Sequence, residues 1–464
     1  MLSRRRDAAA DQGTGRAGRR PLRVGLYGGF GTGNTGNDAT AAVAVEHLRA
    51  THPDLDLRLI TYGPQTAAVA ERLGVPTVST QPAARSGRGR GADLALVLPG
   101  AVRSVGARAW RLAREAASTW TTLRSVDAVV VLGCGIFEAE STVGGRGWRA
   151  MADLYLVSLA SSLGSHRLAF VGVGGTMLPT RVERALVVAA MRRAERRSFR
   201  DEASKTALAR MGGGHRDDLV VADLVFAATF LDADSTSVDS TSDDVATTDT
   251  TDRPLVALGV MAFDWLRRSD GRLSPQDPYL AALVETATTL VRQGQDVVIF
   301  AGDVADRFAV DLVAEEARAR LGSDAGRVTT VHATSLPEQV PVLTGARTVV
   351  GSRFHNAVTA LMVGRAPIAV LDRTKVRTLM HTMGLDEHVL EARTLAAPDL
   401  LELVARAQAE QEGTERRTAP AVQAARTHAL RGLVDLDRLV ERWGGGAPPA
   451  DRVAAAVSSG GSVA

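Results

Sequence analysis

One cysteine, Cys134, stands in a chain of 464 residues. It excludes an intrachain disulfide framework and a zinc site built from several thiolates. A reducing compartment is compatible, and the expected location is the cytoplasm. The chain also lacks an excess of charge. Its 55 Lys and Arg against 52 Asp and Glu leave a formal net charge of +3, which gives no nucleic-acid footprint. No apolar run approaches the length of a transmembrane helix. The arginines of the N-terminus are not followed by an apolar segment, so no secretory signal is expected. Basic excess gathers in SRRRDAAADQGTGRAGRR at the start and in ARSGRGRG at 84–91. Both read as flexible, and they leave peripheral docking at the inner face of a membrane open. Aromatics are scarce, at 4%, in a chain dominated by small and aliphatic residues. That balance suits helices packed on parallel sheets.

What is present is an alternation. LRVGLY (22–27), LDLRLIT (55–61), SVDAVVVLG (125–133), RLAFVGVG (167–174) and RRSFR (196–200) read as strands, with helical patterns between them. The first long helix is expected from about Asp38 to Ala50. PLVALGVM, DVVIFAG, RVTTVHA, RTVVG and APIAVLD repeat the pattern in the second half. Parallel βαβ units follow from this spacing, so the fold class is α/β: two Rossmann-like lobes with the ligand cleft at the carboxyl ends of their strands. The expected organisation is a basic arm (1–20), a first lobe (21–231), an Asp/Ser/Thr linker or loop (232–253), a second lobe carrying the terminal helices (254–443), and a disordered tail (444–464).

The chemistry-bearing residues fall at these strand ends. YGGFGTGNTGNDATAAV (27–43) is a glycine-rich strand-to-helix turn, able to let a ligand approach backbone N–H groups. Its spacing is neither a dinucleotide fingerprint nor a P-loop. Asn34 and Asn37 are candidate ligand contacts; Asp38 either caps the helix or meets a sugar hydroxyl as a base. In LGCGIFEAEST (132–142), Gly133 and Gly135 line a strand end, and Cys134 between them reads as a packed thiol. Arg200 ends a strand before Asp201 and Glu202, with which it either pairs or shares a cleft. Arg353 and His355, in GSRFHNAVTALMVG, follow an apolar strand and open a helix. A guanidinium there can grip a carboxylate or phosphate, and the imidazole can move a proton near neutral pH. Lys375 adds a cation one βα unit later, or is a surface lysine. Together these groups imply a small anionic ligand; they do not separate a nucleotide-sugar enzyme from one using another phosphorylated donor.

GNTGNDA (33–39), FRDEASKTALARMG (199–212), VADLVF (221–226) and VVGSRFHNAVTALMVGRAPIAV (349–370), in this order, resemble the motifs of the polysaccharide pyruvyl transferases. The last piece resembles that family's Arg-x-His-x-x-x-x-Ala-x-x-x-Gly-x-Pro, with Pro367 one residue later than that spacing. The resemblance implies a GT-B-like fold and transfer of a pyruvyl group from phosphoenolpyruvate to a glycan or lipid-linked sugar, without metal or cofactor. It gives Arg200 and Arg353 to the donor's carboxylate and phosphate, His355 to the reacting end as acid, and Asp38 to the hydroxyl. The chain departs from the pattern at Asn37 and Asp38, where the family has Asp and Glu, at Cys134 within a run of glycines, and at Leu371 and Asp372, where an aromatic often precedes Lys375. The alternatives are a metal-independent nucleotide-sugar glycosyltransferase of GT-B type and a degenerate binding protein of the same fold.

Overall fold

The computed structural model describes residues 20–61, 66–80, 114, 116–133, 146–164, 166–229, 253–266, 273–371 and 374–445. The arm before Arg20, the arginine-rich stretch 84–91, Cys134, Gly135, Glu138, Glu140, residues 232–252, Asp372 and the tail from 446 lie outside them.

Seven strands form the first sheet: β1 (Arg23–Tyr27), β2 (Asp56–Thr61), β3 (Thr77–Ser79), β4 (Ala128–Leu132), β5 (Arg167–Val173), β6 (Arg196–Phe199) and β7 (Leu219–Val220), in the order β3-β2-β1-β4-β5-β6-β7. Six form the second: β8 (Leu255–Val260), β9 (Asp296–Ala301), β10 (Val328–Val331), β11 (Thr348–Gly351), β12 (Ile368–Leu371) and β13 (Val389–Glu391), in the order β10-β9-β8-β11-β12-β13. All the paired strands run parallel. The central strands are apolar without alternation because helices cover both faces; every residue of AVVVL in β4 is fully buried.

In each sheet the strand order reverses once, between β1 and β4 and between β8 and β11. There the following helices depart to opposite faces and leave a crevice beyond the carboxyl ends. The two crevices face each other. The second-lobe helix Phe354–Met362 shares a hydrophobic core with the first lobe, Phe354, Val358 and Leu361 clustering with Leu26, Leu132 and Leu224.

One element lies elsewhere than the sequence implied. The 34-residue helix Gln411–Gly444, expected with the second lobe, returns to the first. Its Asp435 pairs with Arg196 through two bonds of 2.8 and 2.9 Å, and the Trp443 indole N–H donates to Glu195 at 2.9 Å. Asp437 accepts from Thr51 at 2.9 Å and contacts the rings of His47 and His52 at 2.8 and 3.1 Å. Periodicity locates such a helix and its buried stripe, but not the sheet it covers. Among the described residues no helix is long and apolar enough to cross a membrane.

Candidate active site

After β1 the chain turns through glycines, two of which (Gly31 and Gly33) adopt positive φ of 65° and 97°. The helix then begins at Thr35, earlier than the periodicity indicated. Asn34 caps it, its side-chain oxygen accepting from the N–H of Gly36 at 3.1 Å and of Asn37 at 3.2 Å. Asn37 donates its amide to Gly29 O at 3.3 Å. Asp38 does not cap the helix. Its Oδ1 accepts from Gly31 N at 2.8 Å and so ties down the glycine turn, while Arg72 stands 3.4 Å from Oδ2. Burial pushes the Asp38 carboxyl up, against the opposing pull of the Gly31 N–H and Arg72.

The second-lobe strands bring Arg353 and His355 to the facing crevice. Arg353 is held by a bidentate fork to fully buried Asp306, at 2.6 and 2.8 Å, with Asp303 at 3.3 Å from Nη1. Burial alone would lower this guanidinium's pKa. The two carboxylates outweigh it and hold the pKa above its ordinary value. Arg353 therefore spends its fork inside the protein and offers a ligand only its remaining N–H groups. Asp306 also accepts from Ala262 N at 2.8 Å. Beside it, the Tyr279 hydroxyl bonds Ser352 Oγ at 3.0 Å, and burial pushes that phenol up to about 12.

The lobes touch where these features meet. Thr35 Oγ1 donates to Gly302 O at 3.0 Å, Val304 N donates to Gly33 O at 3.0 Å, and Gln339 donates to Thr35 Oγ1 at 3.2 Å. The His355 ring lies directly against Gly36, so that a methyl there would overlap the imidazole. Arg200, at the end of β6, reaches toward the same place. Its guanidinium sits on Gly174, where a side chain would overlap it, and its Cζ lies 4.6 Å from the centre of the Phe354 ring.

Between Arg200 and His355 stands Asp223. Its Oδ2 is 3.7 Å from Nη1 of Arg200 and 3.7 Å from Nε2 of His355. Its Oδ1 accepts from Val225 N at 3.1 Å and fixes the carboxylate at the head of a short 3-10 turn, Leu224–Ala227. Burial would raise this carboxyl; His355 and Arg200 outweigh it and leave it below its ordinary value. Arg200 also has Asp201 at 3.6 Å, and Asp201 caps the next helix through Ser204 N at 2.6 Å.

Arg200 and His355 are thus brought together, with Asn34, Asn37 and Asp38 across the turn and Arg353 anchored alongside. Gly133 stands at the end of β4, pressed on the backbone of β5 where a methyl would overlap Gly172 O; its glycine answers to strand packing. Lys375 lies in the first turn of the helix Thr374–Thr382, after β12. Gly135 lies outside the described residues. Sequence reasoning named neither Asp223 nor the pair Asp303 and Asp306. Asp223 was present within VADLVF, a segment valued as a motif but not as a side chain. Asp303 and Asp306 stand where acids ordinarily cap helices.

Solved structures place the fold in the two-lobed GT-B class. The chain is similar to the UDP-GlcNAc 2-epimerase of Neisseria meningitidis bound to UDP-GlcNAc, at TM-score 0.57 and 12% identity over 89% of this chain and 100% of the other. It is similar to a glycosyltransferase of Rickettsia africae ESF-5, at TM-score 0.55 and 9% identity over 92% and 99%. A UDP-N-acetylglucosamine 2-epimerase of Rickettsia bellii gives TM-score 0.54 at 12% identity over 91% and 98%. No curated protein matches the sequence. The family model for polysaccharide pyruvyl transferase matches residues 34–372, a span that begins at the Asn34 cap and holds Arg200, Asp223, Arg353 and His355. The chain belongs to the polysaccharide pyruvyl transferase family and is a transferase.

Proposed function

We propose that the protein transfers a pyruvyl group from phosphoenolpyruvate to a sugar of a cell-surface glycan or its lipid-linked precursor, forming a ketal across two hydroxyls and releasing phosphate. The observation that carries this reading is the convergence of Arg200 and His355, from opposite lobes, on Asp223 at the facing strand ends. A cation that can grip a carboxylate or phosphate thereby stands beside an imidazole that can move a proton.

The chemistry follows from the donor. His355 protonates the methylene carbon, and the adjoining carbon becomes oxocarbenium-like. One sugar hydroxyl adds there, phosphate leaves, and the second hydroxyl closes the ketal. Of the two hydroxyl protons, one ends in the new methyl group and the other on the phosphate side. Arg200, with the free N–H groups of Arg353, stabilises the donor's anionic charge and the leaving phosphate. Asp38, held beside the glycine turn with its carboxyl pushed up by burial, orients the attacking hydroxyl. In this arrangement the side chains of Arg200 and Asp223 are only 2% and 3% exposed and that of His355 11%, so the lobes part to admit the donor. No cofactor enters the scheme, and the reading puts the work at the cytoplasmic side of the envelope, where a phosphorylated donor is available.

Thermal unfolding in the presence of candidate donors tests the reading. Phosphoenolpyruvate is expected to raise the melting temperature in a saturable way, and UDP-GlcNAc to leave it unchanged. Stabilisation by UDP-GlcNAc alone would replace this reading with nucleotide-sugar transfer.

A further inference from the structure

Two buried polar atoms confront each other across the lobes with no hydrogen bond between them. Nε2 of His355 and Oδ2 of Asp223 are 3.7 Å apart, and neither has a hydrogen-bond partner among the described residues. Buried polar groups are nearly always partnered, so an orphaned donor facing an orphaned acceptor calls for a reason. The separation is too long for a hydrogen bond and short enough for a strong charge interaction in a site sheltered from water.

Neither group can drift easily. The other oxygen of Asp223 is committed to Val225 N at 3.1 Å. The imidazole is backed by Gly36 and by the perpendicular Phe354 ring, 5.1 Å away between centres. The charges around the pair come from several elements. Arg200 reaches the same Asp223 oxygen from the end of β6, with Asp201 beside it. On the second-lobe side, Arg353 is neutralised by Asp306 and Asp303. On the helix against the ring, Asp38 is paired with Arg72. Asp223 is thus the carboxylate that faces His355, and it stands between that ring and the Arg200 guanidinium.

We propose that Asp223 is a positioning residue for His355: its charge, held just beyond hydrogen-bond reach, favours the imidazolium over the neutral ring while leaving the Nε2–H unspent for the donor. A full hydrogen bond would tie that proton to Asp223; the gap leaves it transferable. The catalytic consequence rests on the pyruvyl-transfer reading, whereas the pairing itself does not. In the step served, the Nε2–H bond breaks and the alkene π pair takes the proton to form the methyl C–H bond. The neutral imidazole is recharged by the proton the attacking hydroxyl gives up.

The test compares wild type with Asp223→Asn, which keeps an oxygen for Val225 N. His355 is followed by nitrogen NMR of labelled histidine across pH in the ligand-free protein, and the pH profile of turnover is recorded alongside. The variant is expected to titrate at lower pH by about one unit or more, as loss of an opposite charge at this distance implies. Its activity is expected to fall away at correspondingly lower pH, and Asp223→Glu to restore part of both shifts. Coincident titrations in a folded variant would overturn the proposal. Should Asn disturb the fold, the wild-type protein decides: the Asp223 carboxylate carbon must show a step at the pH where His355 titrates, and a flat signal there overturns the pairing. A shifted titration with no response to phosphoenolpyruvate would sink the donor assignment and leave the pair. Phosphoenolpyruvate binding with an unshifted titration would do the reverse.

Discussion

At Gly36 the missing side chain is what admits the His355 ring. Alanine ordinarily helps a helix by roughly 0.5–1 kcal/mol over glycine, but here its methyl would displace the imidazole. Gly36→Ala is therefore expected to keep a cooperative melt and to lose most of its turnover; full activity in that variant would show that the imidazole does not work from this seat. Asp306→Asn breaks a fork whose carboxylate is fully buried and is expected to cost about 3–5 kcal/mol in chemical denaturation. A loss under about 1 kcal/mol would mean that Arg353 finds its stability elsewhere. At this scale the sequence was partly legible. Arg200, Arg353 and His355 were marked by their place after apolar strands. Asp223, Asp303 and Asp306 were not, because an acid beside a turn is usually a cap and only tertiary structure shows which cation it meets. Asn34 shows the converse: a residue read as a ligand contact spends its side-chain oxygen on the helix it caps.

The strands were the most legible elements, since a parallel strand buried on both faces must be an unbroken apolar run. Helix starts were less so; the cap at Asn34 moved one by three residues from the periodic signal. The last helix was the least legible in its placement, and it carries its own predictions. Trp443, 6% exposed and bonded to Glu195, clamps that helix to the first lobe. Trp443→Ala is expected to cost about 3–5 kcal/mol, read by urea unfolding, and a cost near zero would mean that the helix docks without it. Asp437 adds a pH dependence. Burial would raise its carboxyl, but His47, His52 and Thr51 outweigh it and bring it down to about 2, well below the usual carboxylate range. A depressed carboxyl stabilises the fold above its unfolded value and loses that contribution as pH falls through the folded one. Acid unfolding of the wild type should therefore steepen between pH of about 4 and about 2. Asp437→Asn should flatten that window; identical acid profiles would remove Asp437 from the account.

Across the whole molecule the candidate site lies where two Rossmann-like lobes meet. Gly36, Asp223 and Arg200 come from one lobe and His355 and Arg353 from the other, each carried by a loop or a first helical turn at the carboxyl end of its sheet. The chain order of the motifs could be seen in the sequence; their convergence could not, since it depends on how the sheets face each other. A ligand seated across both lobes stabilises them together. A saturating donor, at about a hundred times its Kd, would add about 2.7 kcal/mol to unfolding. The most direct measurement is a calorimetric titration of the purified protein with phosphoenolpyruvate, beside Arg200→Lys, which keeps the charge but loses the planar fork. The account predicts saturable binding to the wild type, weakened roughly tenfold to a hundredfold in the variant. No heat of binding to the wild type, or equal affinity in both proteins, would contradict it.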